Sequence, residues 1–83
     1  MAVPHVILYT RENCPLCDGA KRVIEELYEE VPFTLDITDI HSDDRLLETY
    51  QLMIPVVNID GRDAFFGKVV KSEIRKRLLT KQQ

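Results

Sequence analysis

The chain has 83 residues and a mass of 9.6 kDa, which leaves room for one small domain around a single hydrophobic core. Hydrophobic residues make up 45% of it and charged residues 30%, with 3 glycines and 4 prolines, so the composition excludes a disordered or fibrous chain. The longest apolar run covers residues 52–57, far short of the roughly 18 residues that a membrane span needs. We therefore expect one domain over residues 1–83, monomeric and without a membrane partner.

The first ten residues contain no lysine or arginine, and their apolar run at residues 6–9 is too short for a signal peptide. We therefore expect a cytoplasmic protein. The formal net charge of −3 is unevenly distributed, because residues 61–83 contain seven basic and two acidic side chains. Such a segment can bind nucleic acid, but basic side chains near the end of a helix also offset its dipole. No aromatic residue follows Phe66 to stack on bases, so we expect no nucleic-acid partner.

The first half of the chain predicts a strand, a helix and a second strand. Residues 5–10 contain a continuous apolar run of the kind found in short buried strands. Apolar side chains then recur at helical spacing over residues 16–31, with glutamates between them, so we predict a helix from Pro15 that stops near Pro32. Residues 33–38 alternate between apolar and polar side chains, which predicts a half-buried strand.

The second half predicts a helix, a β-hairpin and a final helix. Ser42 precedes two aspartates, and its hydroxyl can cap the free N–H groups at the start of a helix whose apolar face is Leu46, Leu47 and Tyr50. Residues 55–59 and 64–66 predict two strands joined by a tight turn at Asp60–Gly61. Residues 68–79 predict the last helix, with a buried face formed by Val70, Ile74 and Leu78.

The predicted order of elements is β-α-β-α-β-β-α. A strand, a crossover helix and a second strand form a right-handed parallel unit, and the hairpin adds antiparallel strands to the same sheet. We therefore expect an α/β fold with a four-stranded mixed sheet and helices on both faces.

Two cysteines, Cys14 and Cys17, lie between the first predicted strand and the first predicted helix. They are the only cysteines, whereas disulfide-stabilised secreted domains contain four or more. A bridge between them would close such a short loop that it would stabilise the fold by only about 2 kcal/mol, so the pair suits reversible oxidation.

The position of Pro15 indicates how the two sulfurs are used. Proline favours the first position of a helix, so Cys14 becomes the N-cap, where its sulfur faces free N–H groups and the helix dipole favours the thiolate. Arg11 can add a positive charge on the same side. Cys17 lies one turn later on the same face and begins the buried stripe. We therefore predict Cys14 as the nucleophile of thiol–disulfide exchange and Cys17 as the resolving thiol.

The segment from Tyr9 to Cys17, Tyr-Thr-Arg-Glu-Asn-Cys-Pro-Leu-Cys, resembles the active-site segment of glutaredoxins within the thioredoxin-fold superfamily. The order of elements is similar over about residues 5–80, as in the small bacterial glutaredoxin-like proteins. A second segment, Met53-Ile54-Pro55-Val56, resembles the Thr-Val-Pro segment of that family. The resemblance implies a thioredoxin fold in which Pro55 is a cis-proline facing the cysteines and Ile54 offers backbone hydrogen bonds to a thiol partner.

The resemblance also implies an enzyme that reduces disulfides of proteins or small molecules, without a tightly bound cofactor. Its electron donor would be glutathione or a thioredoxin-reductase-type system. Leu16 replaces the usual tyrosine, and Gly67 stands alone where the family has Gly-Gly, two residues and an aspartate, whose position falls on Val70 or Lys71. This departure argues against a tight glutathione site. The residues expected to bind substrate or support the cysteines are Arg11, Pro15, Leu16, Ile54 and Pro55.

Three alternatives use the same sequence differently. The cysteine pair is half of a zinc site, but His5 and His41 are single and far apart, so we predict no metal ligands. Glutaredoxin relatives can also bridge an iron–sulfur cluster between two chains. A cysteine hydrolase or peroxidase would use Cys14 alone, but a hydrolase needs a base within hydrogen-bond reach, and the sequence places neither histidine there. A non-catalytic adaptor that binds a partner through its basic last helix would need neither the cysteines nor the Ile54–Pro55 segment.

Overall fold

The computed structural model describes residues 3–81 of the chain. The elements follow the predicted order β-α-β-α-β-β-α, with one additional turn of 3₁₀ helix before the second α-helix. They are β1 (His5–Thr10), α1 (Pro15–Glu30), β2 (Thr34–Asp39), the 3₁₀ turn (Ile40–Ser42), α2 (Asp44–Tyr50), β3 (Val56–Ile59), β4 (Arg62–Phe66) and α3 (Lys71–Lys81). Within this part of the chain, no helix is long and apolar enough to cross a membrane.

The four strands form one mixed sheet in the order β2-β1-β3-β4, which confirms the predicted topology. β1 pairs in parallel with β2, where Leu8 lies opposite Ile37. β3 runs antiparallel to β1, where Leu8 lies opposite Val57, and β4 runs antiparallel to β3. β1 is therefore a central strand, and the loop that follows it leaves the middle of the sheet.

Helices cover both faces of the sheet. On one face, α1 and α3 pack against the strands in a core cluster of Val6, Leu8, Ala20, Ile24, Leu27, Val31, Phe33, Val57, Ile59, Ile74 and Leu78. On the other face, the Tyr9 ring of β1 stacks on the Tyr50 ring of α2 with centroids 4.5 Å apart. Neighbouring side chains of a strand point to opposite faces of the sheet. Leu8 packs with α1 and Tyr9 stacks on α2, so the two helices lie on different sides of the sheet.

The hairpin turn has the predicted backbone geometry. Asp60 and Gly61 both have positive φ, 52° and 85°, as a tight two-residue hairpin turn requires. The Asn58 side chain accepts a hydrogen bond from the Gly61 N–H at 3.0 Å. β4 begins at Arg62, two residues before the predicted start, because the turn sets the pairing and extends it to polar residues.

The predicted cap of the second helix was wrong. Asp43 is the N-cap of α2, and its carboxylate accepts a hydrogen bond from the Arg45 N–H at 2.7 Å. The Ser42 hydroxyl instead donates to the Asp39 carbonyl oxygen at 2.6 Å within the 3₁₀ turn. Serine and aspartate both have side chains that can cap a helix, so local sequence did not distinguish two adjacent candidates.

Four apolar residues that the sequence pattern places on buried faces are exposed, namely Leu16 and Tyr28 of α1, Ile37 of β2 and Val70 before α3. Ile37 is 42% exposed, because β2 is an edge strand that only β1 contacts in the sheet. Val70 is 50% exposed, because α3 begins at Lys71, after Val70. Ile74 and Leu78 are buried as predicted, so the register of the last helix was correct although its start was not.

Gly19 lies inside α1, where a Cβ atom would meet nothing within 4 Å. Glycine weakens a helix interior, so Gly19→Ala should raise the free energy of unfolding by about 1 kcal/mol. The matched change Gly61→Ala should lower it by about 1 kcal/mol, because the positive φ there disfavours a side chain. Urea unfolding followed by circular dichroism measures both, and a destabilised Gly19→Ala variant would contradict the open environment of Gly19.

Candidate active site

Cys14 is the N-cap of α1, as the sequence predicts. Its backbone is extended, with φ of −124° and ψ of 103°, and Pro15 is the first helical residue. The Cys14 sulfur accepts a hydrogen bond from the Cys17 N–H at 3.2 Å. The Cys14 carbonyl accepts the first helical hydrogen bond, from the Asp18 N–H at 3.0 Å. A sulfur in this position partners an N–H group that the helix itself leaves free and lies at the positive end of the dipole.

The two cysteines are free thiols with different access to solvent. Cys14 is 8% exposed and Cys17 is 2% exposed. Cys17 is therefore the more buried of the two, as predicted from its place at the start of the apolar stripe of α1. A partner can reach Cys14 first, which agrees with the roles assigned to the pair.

Burial changes the acidity of Cys17. Burial, together with the neighbouring Cys14 sulfur, raises the pKa of the Cys17 thiol to about 11. A backbone hydrogen bond from Arg11 and the positive charge of its side chain lower the pKa of Cys17 and oppose part of this shift. Near neutral pH, Cys17 is therefore protonated and must lose a proton before it can attack.

Arg11 lowers the pKa of Cys17, an effect that was not predicted from the sequence. Arg11 and Cys17 line a cavity of about 200 Å³, together with Thr10, Glu12, Asp18, Lys21, Ile37 and Asp39. Sequence reasoning predicted Arg11 but missed Lys21 and Asp39 of this cavity. Two signals point to them, because Lys21 lies one helical turn after Cys17 and the parallel pairing of β1 with β2 sets Asp39 opposite Thr10.

The Ile54–Pro55 peptide bond is cis, as the resemblance implies. In the sheet, Tyr9 lies opposite Val56, so Pro55 comes next to the end of β1, where the chain leaves for Cys14. Pro55 is fully buried, and its carbonyl accepts a hydrogen bond from the Gly67 N–H at 2.9 Å. The pairing of β1 with β3 thus brings the cysteine loop and the proline segment to the same end of the sheet.

Ile54 has one of its two backbone groups already bound. Its N–H donates to the Tyr50 carbonyl at 3.1 Å, which reduces the predicted role of Ile54 to its carbonyl oxygen. The Tyr50 hydroxyl donates to the Asp63 carboxylate at 3.1 Å. Burial and the Asp63 carboxylate raise the pKa of Tyr50 to about 12, so the phenol stays protonated and keeps α2 tied to the hairpin.

Lys71, a candidate for the position of the family's aspartate, belongs to an ion-pair cluster. Its amine contacts Glu26 at 3.1 Å and Glu30 at 2.6 Å, which tie the start of α3 to α1. Leu16, in place of the usual tyrosine, is 52% exposed beside Cys14. Lys71 therefore pairs with the C-terminal half of α1, and the side chain next to Cys14 is apolar.

No group of three or more histidine, cysteine, aspartate or glutamate residues within residues 3–81 is arranged to hold a metal ion. The His5 ring contacts the Thr34 hydroxyl and, at 3.2 Å, the Asp36 carboxylate. His5 begins β1, whereas the cysteines follow the end of this strand. The strand therefore separates the histidine from the cysteine pair.

Residues 5–81 match the family described as "Glutaredoxin-like domain (DUF836)". The chain belongs to this family. A thioredoxin from Methanocaldococcus jannaschii is 31% identical over 85 residues, which cover 94% of this glutaredoxin-like chain and 100% of the relative. Both comparisons agree with a redox protein built around the cysteine pair Cys14 and Cys17.

Solved structures confirm the thioredoxin fold of the glutaredoxin-like chain. A mutant thioredoxin from Halobacterium salinarum superposes with a TM-score of 0.79 at 15% identity, over 99% of this chain and 77% of that one. A structural-genomics protein from Nitrosomonas europaea has a TM-score of 0.74 at 21% identity and covers 94% of both chains. One from X. campestris has a TM-score of 0.72 at 24% identity, over 90% of this chain and 96% of that one.

The raised pKa of Cys17 predicts a slow and strongly pH-dependent alkylation. Because thiolates react and thiols do not, the rate at Cys17 should rise about tenfold per unit between about pH 8 and pH 10. It should level off only above the pKa of about 11. Mass spectrometry of iodoacetamide-treated protein would follow each cysteine, with the urea-unfolded chain as control. A rate at Cys17 that levels off near the ordinary pKa of 9.0 would contradict this prediction.

Proposed function

We propose that this glutaredoxin-like protein is a thiol–disulfide oxidoreductase with Cys14 as nucleophile and Cys17 as resolving thiol. The observation that carries the proposal is the hydrogen bond from the Cys17 N–H to the Cys14 sulfur at the start of α1. This contact and the helix dipole stabilise a negative sulfur at Cys14. The more buried Cys17 lies one turn away, where its sulfur can reach a disulfide formed at Cys14.

The reaction runs in two exchange steps. The Cys14 thiolate attacks one sulfur of the substrate disulfide, the substrate S–S bond breaks, and the departing thiolate takes up a proton. Cys17 then loses its proton to solvent, and its thiolate attacks the Cys14 sulfur in the mixed disulfide. The Cys14–Cys17 bond forms, and the second substrate thiolate leaves and is protonated. Two electrons pass from the protein dithiol to the substrate, which ends as two thiols.

The remaining predicted residues support these steps. The Arg11 charge lowers the pKa of Cys17 and so favours the second attack. The Ile54 carbonyl accepts no hydrogen bond from the rest of residues 3–81, so it can receive the N–H of a polypeptide bound beside Cys14. Pro15 sets the start of the helix, Leu16 forms the exposed apolar rim, and Pro55 shapes the edge opposite the cysteines.

The dithiol must be restored after each cycle, and we propose glutathione or a thioredoxin-reductase-type system as the donor. A reducing cytoplasm would keep the pair as thiols, and a monomer suffices, because one chain supplies both cysteines. The substrates are disulfides of proteins or small molecules. No tightly bound cofactor is required, because the electrons reside on the sulfurs.

Two serine variants separate the roles of the cysteines. With a small aromatic disulfide that releases a coloured thiolate, Cys14→Ser should lower the rate by at least about a hundredfold, or about 2.7 kcal/mol. Cys17→Ser should still attack but remain joined to the substrate, because nothing resolves the mixed disulfide. Mass spectrometry would detect that adduct. Wild-type rates for Cys14→Ser would refute the assignment of the nucleophile.

The rate at which glutathione reduces the oxidised protein should rise linearly with glutathione concentration, because Gly67 stands alone and the position of the family's aspartate is taken by Val70 or Lys71. Stopped-flow measurement of the disulfide, with a thioredoxin-reductase system as the parallel donor, tests this expectation. Saturation at micromolar glutathione would show a tight site and contradict it.

A further inference from the structure

A groove of about 220 Å³ begins at Pro15, directly after the nucleophile, and runs along α1. We call it the Gly19 groove, and it is also lined by Leu16, Gly19, Ala20, Val23, Lys68 and Val69. After Pro15, the groove residues of α1 lie on one face of the helix, because spacings of three, four and seven residues bring side chains to the same side. From Leu16 to Val23 the groove is about 10 Å long, which matches about three residues of extended chain.

Gly19 keeps this groove open. A Cβ at this position would meet no atom within 4 Å, so no packing contact within the chain requires glycine. Its backbone is helical and needs no positive φ, unlike Gly61. Glycine weakens the helix here without a local structural reason. What glycine provides at this position is open space over the helix, next to the reacting cysteine.

We propose that the Gly19 groove binds the polypeptide flanking the reacting cysteine of a disulfide-containing protein substrate. An aliphatic side chain of the substrate lies over Gly19, and a neighbouring carboxylate pairs with Lys68. This inference rests on the proposed function and names the substrate class of the same site. The chemistry at sulfur is unchanged, so the electron and proton balance given above applies.

The position and volume of the groove favour a protein substrate. A partner joined to Cys14 in the mixed disulfide starts at the Pro15 end of the groove, and only a longer chain can reach Val23, about 13 Å along the helix from Cys14. A cavity of about 150 Å³ can hold a benzene molecule, whereas sites for whole drug-sized ligands start near 300 Å³. The groove, at about 220 Å³, therefore fits one large apolar side chain.

Charge restricts the substrate further. Lys68 is the charged residue that lines the groove, and it forms no ion pair with any part of residues 3–81. Lys71, three residues later, is already bound to Glu26 and Glu30. An acidic residue next to the aliphatic side chain would therefore gain a partner at Lys68, and a basic residue would be repelled.

Synthetic peptide disulfides test the groove in the full chain. One peptide has leucine at the third position from its cysteine and glutamate next to the leucine, and its partner has serine in place of leucine. Both are made in either chain direction. Wild type should show a kcat/KM at least about tenfold higher for the leucine peptide, from burial of one aliphatic side chain. If the leucine and serine peptides have equal kcat/KM in both chain directions, the inference is overturned.

Variants show where the selectivity arises. Gly19→Leu fills the groove and should reduce the leucine-to-serine ratio to about one, whereas Glu25→Leu, on the opposite face of α1, should keep the wild-type ratio. In a third peptide lysine replaces the glutamate, and Lys68→Glu should reverse the wild-type preference for glutamate over lysine. Circular dichroism confirms that each variant is folded. A full leucine preference in Gly19→Leu, or an unchanged charge preference in Lys68→Glu, would contradict the proposed contacts.

Three further outcomes separate the two proposals from each other and from a dimer. Reduction of bis(2-hydroxyethyl) disulfide without any peptide selectivity would leave the proposed function supported and overturn the groove assignment alone. Failure to reduce any disulfide would contradict the proposed function and the groove assignment with it. If sedimentation shows a dimer that Gly19→Leu dissociates, the groove binds a second copy of this chain, and the substrate assignment is overturned.

Discussion

The contact between the Cys17 N–H and the Cys14 sulfur joins the fold to the chemistry of this protein. A helix begins with N–H groups that its own backbone leaves free, and here a sulfur partners one of them. Pro15 sets the first helical position, and this fixes Cys14 outside the helix and Cys17 within it. β1 is a central strand paired with β3, so this helix start lies at the end of the sheet where Pro55 also lies.

The difference between the two thiols follows from helix geometry. Cys14 ends the loop and caps the helix, whereas Cys17 is the first residue on the face that buries Ala20, Ile24 and Leu27. Burial disfavours a charged sulfur, so the same packing that stabilises α1 raises the pKa of Cys17 to about 11. Two chemically identical side chains, one turn apart, thus acquire the separate properties that sequential attack and resolution require.

Much of the fold and the centre of the site could be predicted, because their signals are local. Apolar periodicity indicated each helix and strand, and the Asp60–Gly61 dipeptide indicated the hairpin turn that the structure contains. Pro15 beside Cys14 indicated the helix start to the residue. Where two neighbouring residues had similar capping ability, as Ser42 and Asp43 do, the local signal was ambiguous and the structure selected the second.

The sequence by itself determined the order of elements, the cap at Cys14 and the buried place of Cys17, since each depends on residues within one or two helical turns. Only the tertiary structure decided which strand lies at the edge, and hence that Ile37 is exposed. It also decided that Arg11 acts on Cys17 and that Lys71 pairs with α1. Those contacts depend on how the elements assemble in three dimensions, and side-chain periodicity along one element contains no information about its neighbours.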